Sequence, residues 1–321
     1  MPSFITHELM GEEIQMMISS SAAKAATASY PAAFKWGCQG PDLLFFRYGW
    51  KKQASPLGDY GSRLHKENTP QLFSEVCRYL ISLKDTNQFS PSLSYACGLI
   101  CHYALDSSIH PYVYFMQEKK RCQYRSSVSY GIHMKLETDL DTAFYCRKTC
   151  GKNIRRYKLD PSLLRDSDCQ TTACRFLAHL IYAGFGAAFE PEEIRPCLIN
   201  LYRKEKFLLD PGYIVSFAVC KTLDISRGEK NVQCANCRPR KVSYDILNDQ
   251  HAKWINYRLK EVDRYESVMN ILETAKKEAC HLIDLVYDTV TMETEFPLTE
   301  MPSFDDGNPD LWEMKGGAIY V

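Results

Sequence analysis

The chain has 321 residues, 45% hydrophobic and 24% charged, with no Gly/Ser or Gln/Asn tract, which excludes a disordered or low-complexity polymer. Lys plus Arg and Asp plus Glu number 39 each, so no net field draws it to nucleic acid or anionic lipid. Met-Pro-Ser-Phe-Ile-Thr-His at the start is no basic leader with an apolar core, and no run is long and apolar enough to cross a bilayer, so a soluble, cytoplasmic protein is expected. The fourteen cysteines are scattered and read as mostly reduced, buried thiols. Cys234-Ala-Asn-Cys237, the single CxxC, reads as a loop with two thiols or at most half a zinc site.

In chain order, Leu9, Met10, Ile14, Met17 and Ile18 recur at helical spacing and predict a helix over 6–20 capped by Thr6, with an Ala/Ser-rich continuation to about 26. Residues 31–41 read as a Gly/Pro loop that delivers Asp42, and 52–69 as a long loop that leaves His65 near the surface. Thr69-Pro70 and Ser90-Pro91 open two helices, the first to about 84 and the second ended by Pro111. Further helices are expected at 127–149, 171–184 and 191–206, and a long one near 243–290 with a break. Strand signals are few. Between them lies a basic loop, 221–242, and 293–313 is an acidic tail; both read as solvated surface. The fold class is therefore all-α. The division expected is a metal-binding helical core over 1–150, with 151–321 as a helical continuation of the same or a closely packed domain.

Chemistry concentrates in two runs, His102-x3-Asp106-x3-His110 and His133-x3-Glu137-x3-Asp141. Residues four apart in a helix share a face, so each run stacks three potential ligands in a column, and two columns could clasp metal between them. Imidazole with carboxylate is the donor mixture of zinc enzymes, whose catalytic sites leave one position for water. Five of the eight histidines, His7, His65, His102, His110 and His133, precede residue 134; His179, His251 and His281 sit singly and read as ordinary core or surface imidazoles. Asp139 and Asp141 read either as groups that orient a ligand His or as solvated helix charge. Arg63 and Lys66, beside His65, read either as phosphate contacts or as plain surface charge.

The order His7, Asp42, His65, His102, Asp106, His110, His133, Glu137, with the phrases GCQGPD, HKENT, CHYALDSSIHPY and HMKLETDLD, resembles the zinc-dependent phospholipase C family, which shares its fold with the S1/P1 nucleases. The resemblance covers roughly residues 1–145. It implies a multi-helix bundle with three zinc ions in a cleft. Carried over, Asp42, His65, His102 and Asp106 would hold one zinc, with Asp106 bridging; His110, His133 and Glu137 a second; and His7, Asp106 and the N-terminal residue a third. Removal of Met1 before Pro would make Pro2 that residue, five positions before His7. His110 follows Asp106 by four residues where the family usually has six. Leu43 and Ser62 stand where the choline-specific members carry aromatics, so a choline preference is not implied.

The resemblance implies a zinc-dependent phosphodiester hydrolase with Asp42 as general base, acting on a glycerophospholipid or related phosphodiester, with peripheral membrane contact. Two rivals remain at this point. One is a nuclease or small-molecule phosphodiesterase on the same metals, which needs base-stacking aromatics such as Tyr48, Trp50, Tyr60, Tyr103 or Tyr130. The other is a non-catalytic helical metal-binding protein. The chain has no adjacent His-Asp for an HD-type phosphohydrolase and no H-E-x-x-H for a zincin, and no Glu-x-x-His of the di-iron bundles frames these early histidines.

Overall fold

The computed structural model describes residues 4–49, 55–124, 129–209, 213–226, 234–256, 262–297 and 301–305. Among them are α1 (Phe4–Met17), α2 (Ser21–Ser29), α3 (Pro31–Gln39), α4 (Pro56–Lys66), α5 (Thr69–Leu83), α6 (Phe89–Tyr124) and α7 (Ser129–Lys148). Then come the single turn α8 (Ser162–Arg165), α9 (Ser167–Phe185), α10 (Pro191–Leu209), α11 (Tyr213–Ser226) and α12 (Val268–Met292). The one sheet described is an antiparallel ribbon of β1 (Trp254–Ile255) and β2 (Asp263–Arg264), so the all-α class stands.

Every residue from 91 to 107 is buried, which makes α6 the axis of the bundle. A helix apolar all round is a core helix, and here α1, α2, α3, α5, α9 and α12 pack about it. The closest crossing is with α3. A Cβ added to Gly98 would lie 2.1 Å from the Phe34 carbonyl oxygen, and one on Gly37 2.1 Å from that of Tyr95, so the two backbones touch only because both positions lack a side chain. One continuous apolar cluster runs from Phe4 to Phe304.

Four local expectations are corrected. Residues 31–39 are helical, because Pro31 occupies the first helical position and Phe34, Trp36 and Cys38 are buried. Residues 56–66 are also helical: Pro56 again starts the helix, and burial of Leu57, Leu64 and His65 outweighs roughly 1 kcal/mol for each of Gly58 and Gly61. Pro111 does not end α6, which continues to Tyr124; burial of Ile109, Tyr112, Val113 and Met116 around it outweighs a proline cost of about 3 kcal/mol. The last long helix begins only at Val268, where Ser267 and Asn270 form a capping box, and the described residues from 243 to 267 are irregular apart from the ribbon.

The start of α1 is also built differently. Thr6 is inside the helix, and its hydroxyl and backbone N–H donate to Asp141 Oδ1 at 2.7 and 2.8 Å, while the Ile5 N–H reaches Oδ2 at 3.3 Å. A carboxylate from α7 thus satisfies the free N–H groups of α1 and meets its positive end. Arg238 donates from the other side to Asp141 Oδ2 at 2.7 Å and pairs with Glu205 at 2.7 Å, all three being buried. The basic loop is therefore not entirely solvated: Arg238 is a tie between α7 and α10.

Candidate metal centre

Six segments converge on the centre. α1 supplies His7; the 3₁₀ turn Gly40–Phe46 supplies Asp42; α4 supplies His65; α6 supplies His102, Asp106 and His110; α7 supplies His133 and Glu137. The sixth is the short stretch Met301–Asp305. Gly40 has φ +48°, and a Cβ there would sit 2.7 Å from the His102 ring, so the turn that aims Asp42 needs glycine for both conformation and room. Glu8, next to His7, turns the other way to Lys35 at 2.6 Å and to the Tyr157 hydroxyl, which fixes the rotation of α1.

The donor atoms form three groups, each within 4.8 Å: His7, His102 and Asp106; Asp42, His65 and His102; and His110, His133 and Glu137. In the first two, His7 Nε2 and His102 Nε2 each lie 3.3 Å from Asp106, His65 Nε2 lies 3.1 Å from Asp42 Oδ1 and 3.8 Å from Asp106 Oδ2, and the His65 and His102 Nε2 atoms face each other at 3.4 Å. In the third, His133 Nε2 lies 2.8 Å from Glu137 Oε1. All eight residues are buried except His133, which is partly so.

The opposite ring nitrogens explain the orientation. His65 Nδ1 contacts the Gly61 carbonyl at 2.7 Å, His102 Nδ1 that of Cys38 at 3.1 Å, and His110 Nδ1 that of Phe304 at 2.7 Å, while His133 Nδ1 contacts Gln117 Oε1 at 2.7 Å. An imidazole whose Nδ1–H donates to a carbonyl presents Nε2 as a lone pair, the arrangement that metal-ligating histidines use. The centre therefore collects lone pairs that face one another. Both oxygens of Asp106, Asp42 Oδ1, His7 Nε2 and His110 Nε2 are buried with no hydrogen-bond partner among the described residues, a costly state that a cation would relieve.

Protons do not fill this gap evenly. Burial pushes His102 well below its ordinary value, helped by His7 and His65, and burial does the same to His110. For His65 burial also acts downward, but the Asp42 and Asp106 carboxylates outweigh it and raise it. Asp42 is raised, chiefly by burial, against the pull of His65. The residues thus suit a divalent cation with nitrogen and oxygen donors, which is the zinc donor set.

Pro2 lies outside the described residues. Asp141, third in its column, does not join the centre but caps α1, so it is neither solvated charge nor a partner of a ligand His. Asp139 is also buried and meets Lys135 and the Tyr244 hydroxyl. Arg63 pairs with Glu67 at 3.1 Å and lies 4.0 Å over the Phe185 ring, and Lys66 reaches Asp305 at 3.6 Å, so both charges have protein partners. The stretch 301–305 belongs to the tail expected as solvated surface, yet it packs on the centre: besides the Phe304 carbonyl, Pro302 accepts from the Tyr103 hydroxyl, and Asp305 accepts from that of Tyr114 and donates its N–H to the His65 carbonyl. No sequence signal marks it, because a backbone carbonyl has no residue identity.

The zinc dependent phospholipase C family profile matches residues 6–190. That is more than half of the chain, which therefore belongs to this family of zinc-dependent hydrolases. No curated protein and no solved structure matches the chain. Among the described residues no helix is long and apolar enough to cross a membrane.

Proposed function

We propose that the chain is a phosphodiester hydrolase of phospholipase C type, which cleaves a glycerophospholipid, or a phosphodiester like it, at the phosphorus–oxygen bond to the glycerol. The observation that carries this is the gathering of eight ionisable side chains into three close donor groups, in which both Asp106 oxygens, Asp42 Oδ1, His7 Nε2 and His110 Nε2 are buried with no hydrogen-bond partner among the described residues. Zinc bound there would lower the pKa of its water to about 7, neutralise phosphoryl oxygens and steady the leaving oxygen. Asp42, His65, His102 and Asp106 would hold one such ion, His110, His133 and Glu137 a second, and His7 and Asp106, with Pro2 after Met1 removal, a third. In this reading Asp42 is the base that orients and deprotonates the attacking water. Its side chain is 12% exposed where that of Asp106 is fully buried, so of the two it is the one water can reach. The remaining side chains hold geometry.

The observed aromatics favour a lipid-type substrate over bases. Tyr103 is buried in the core, and Tyr60 stacks on Phe185 and meets Phe189 edge-on. Phe45, 39% exposed and stacked 5.9 Å from His65, presents an apolar edge beside the cluster. The other three sequence candidates add nothing here: Trp50 lies outside the described residues, the side chain of Tyr130 is not described, and Tyr48 is partly buried near Arg47.

The test is elemental analysis of protein with verified Met1 removal, alongside hydrolysis of a generic phosphodiester and of a glycerophospholipid before and after chelation. About three zinc ions per chain, and hydrolysis lost with chelator and restored by zinc, is the expected result. Less than one equivalent with no chelator-sensitive turnover would overturn the enzyme reading and leave a non-catalytic protein.

A further inference from the structure

Helix α11 is inside out. Ser216, Cys220 and Asp224, one turn apart, form its inward face and are buried, while Ile214 is 80%, Val215 60%, Val219 41% and Ile225 71% exposed. At 100° per residue, Ile214, Ala218 and Ile225 fall on one stripe with Val215 and Val219 beside it. A helix at a water-facing surface shows the reverse distribution. The inward side is held by polar and thiol contacts: Cys220 and Cys237 share a hydrogen bond and pack with Leu208.

We propose that this face of α11 docks on a phospholipid bilayer that contains anionic lipid. The helix carries two charged residues, Asp224 turned inward and Lys221 exposed, so its outer surface bears a cation and no carboxylate. Aliphatic side chains with a flanking lysine and no exposed acid match the acyl boundary and the anionic headgroups of a membrane surface. Fourteen residues rise about 21 Å, short of the roughly 30 Å hydrocarbon core, so the helix lies in the interface and does not span it.

The helix is fastened to the block that bears the metal centre. α11 packs on α10 and on the 3₁₀ turn Cys234–Asn236. The Ala235 carbonyl of that turn accepts from the Thr138 hydroxyl, the residue after Glu137, and Asn236 accepts from Lys204, whose ammonium stands 4.8 Å over the Phe46 ring next to Phe45. A bilayer, rather than a protein groove, is chosen as the occupant because the hydrolase reading puts the substrate in one, and to that extent the inference rests on that reading.

The test is sedimentation of the full chain with sucrose-loaded vesicles of phosphatidylcholine, with and without phosphatidylserine, compared with Ile214→Ser/Val215→Ser/Ile225→Ser and with Lys221→Glu. The triple variant is expected to lose vesicle partitioning by at least about tenfold, with circular dichroism unchanged. Lys221→Glu should lose only the part that phosphatidylserine adds. Hydrolysis of a soluble phosphodiester should not change in either variant. Wild-type protein that stays in the supernatant, or a triple variant that sediments as well as wild type, would overturn the proposal. So would light scattering that shows a wild-type dimer split by the triple change, since a second copy would then cover the face. Vesicle binding without any phosphodiester hydrolysis would instead sink the hydrolase reading and leave the docking face in place.

Discussion

Two successive turns of the donor column on α6 are built on different principles. Asp106 and His110 are one turn apart, about 6 Å along the axis. Around Asp106 the partners come from α1, the 3₁₀ turn and α4, three segments that meet only through tertiary crossings. Around His110 the side-chain partners, His133 and Glu137, come from α7 alone, a single helix packed on α6. The first cluster is deep and depends on backbones that touch at Gly37 and Gly98. The second is shallower and depends on one helix pair and one carbonyl. The difference teaches that buried donor sets assembled from many segments are sensitive to packing far from the donors, whereas a two-helix set is sensitive mainly to its own residues.

The largest expected effect lies in the first cluster. Asp42→Asn should lower phosphodiester hydrolysis about 10²- to 10⁴-fold, the usual range for loss of a positioned base, in steady-state assays at saturating zinc. Wild-type turnover from this variant would remove Asp42 from its role.

Asp141→Ala comes next. It takes one of the two carboxylates from buried Arg238, leaves the guanidinium with Glu205 alone and uncaps α1, which should cost about 3 to 5 kcal/mol in denaturant unfolding. Because α1 carries His7, zinc content should fall at the Asp106 cluster, and roughly one equivalent should remain at the other. Equal loss from both would break the comparison.

Gly98→Ala sharpens the same contrast without touching any donor. Its Cβ would drive into the Phe34 carbonyl, and a cost of about 3 kcal/mol is expected from the shift of α3 away from α6. Cys38, whose carbonyl steadies His102, moves with α3. Gln117→Leu acts on the second cluster alone, where loss of the His133 Nδ1 contact should weaken zinc affinity about 10- to 100-fold in competition with a chelating dye, leaving stability near wild type.

The smallest effect concerns Asp305. Burial alone would raise this carboxyl, but Lys66, the Tyr114 hydroxyl and His65 outweigh it and hold it below the ordinary 3.8. A depressed carboxyl stabilises the fold above its unfolded-state pKa and loses that contribution as pH falls through the folded value. The difference in unfolding free energy between wild type and Asp305→Asn should therefore be constant from about pH 5 to 8 and close below about pH 4.

The helical class, the two columns and the clustering of early histidines are legible in the sequence because they are side-chain patterns with a period. Two features misled the reading of 31–39 and 56–66: glycine and proline mark turns on average, but a proline at the first helical position and glycines at crossings are helix-compatible. Asp141 shows a different limit. Its spacing from Glu137 placed it correctly on one face of α7, yet a straight helix that follows the bundle offers successive turns to different neighbours, and the third turn meets α1. The carbonyls of Cys38, Gly61 and Phe304, which orient three histidines, are illegible in principle from one sequence.

The Phe304 carbonyl also bears on biosynthesis. His110 and the carbonyl that fixes its ring are 194 residues apart. At about 5 to 20 residues per second, roughly 10 to 40 s of translation separate them. Through that interval a nascent chain can already contain α1 to α7, and so every donor of the first cluster, while His110 remains free to rotate. The backbone group that orients His110 is thus made long after all eight donor side chains.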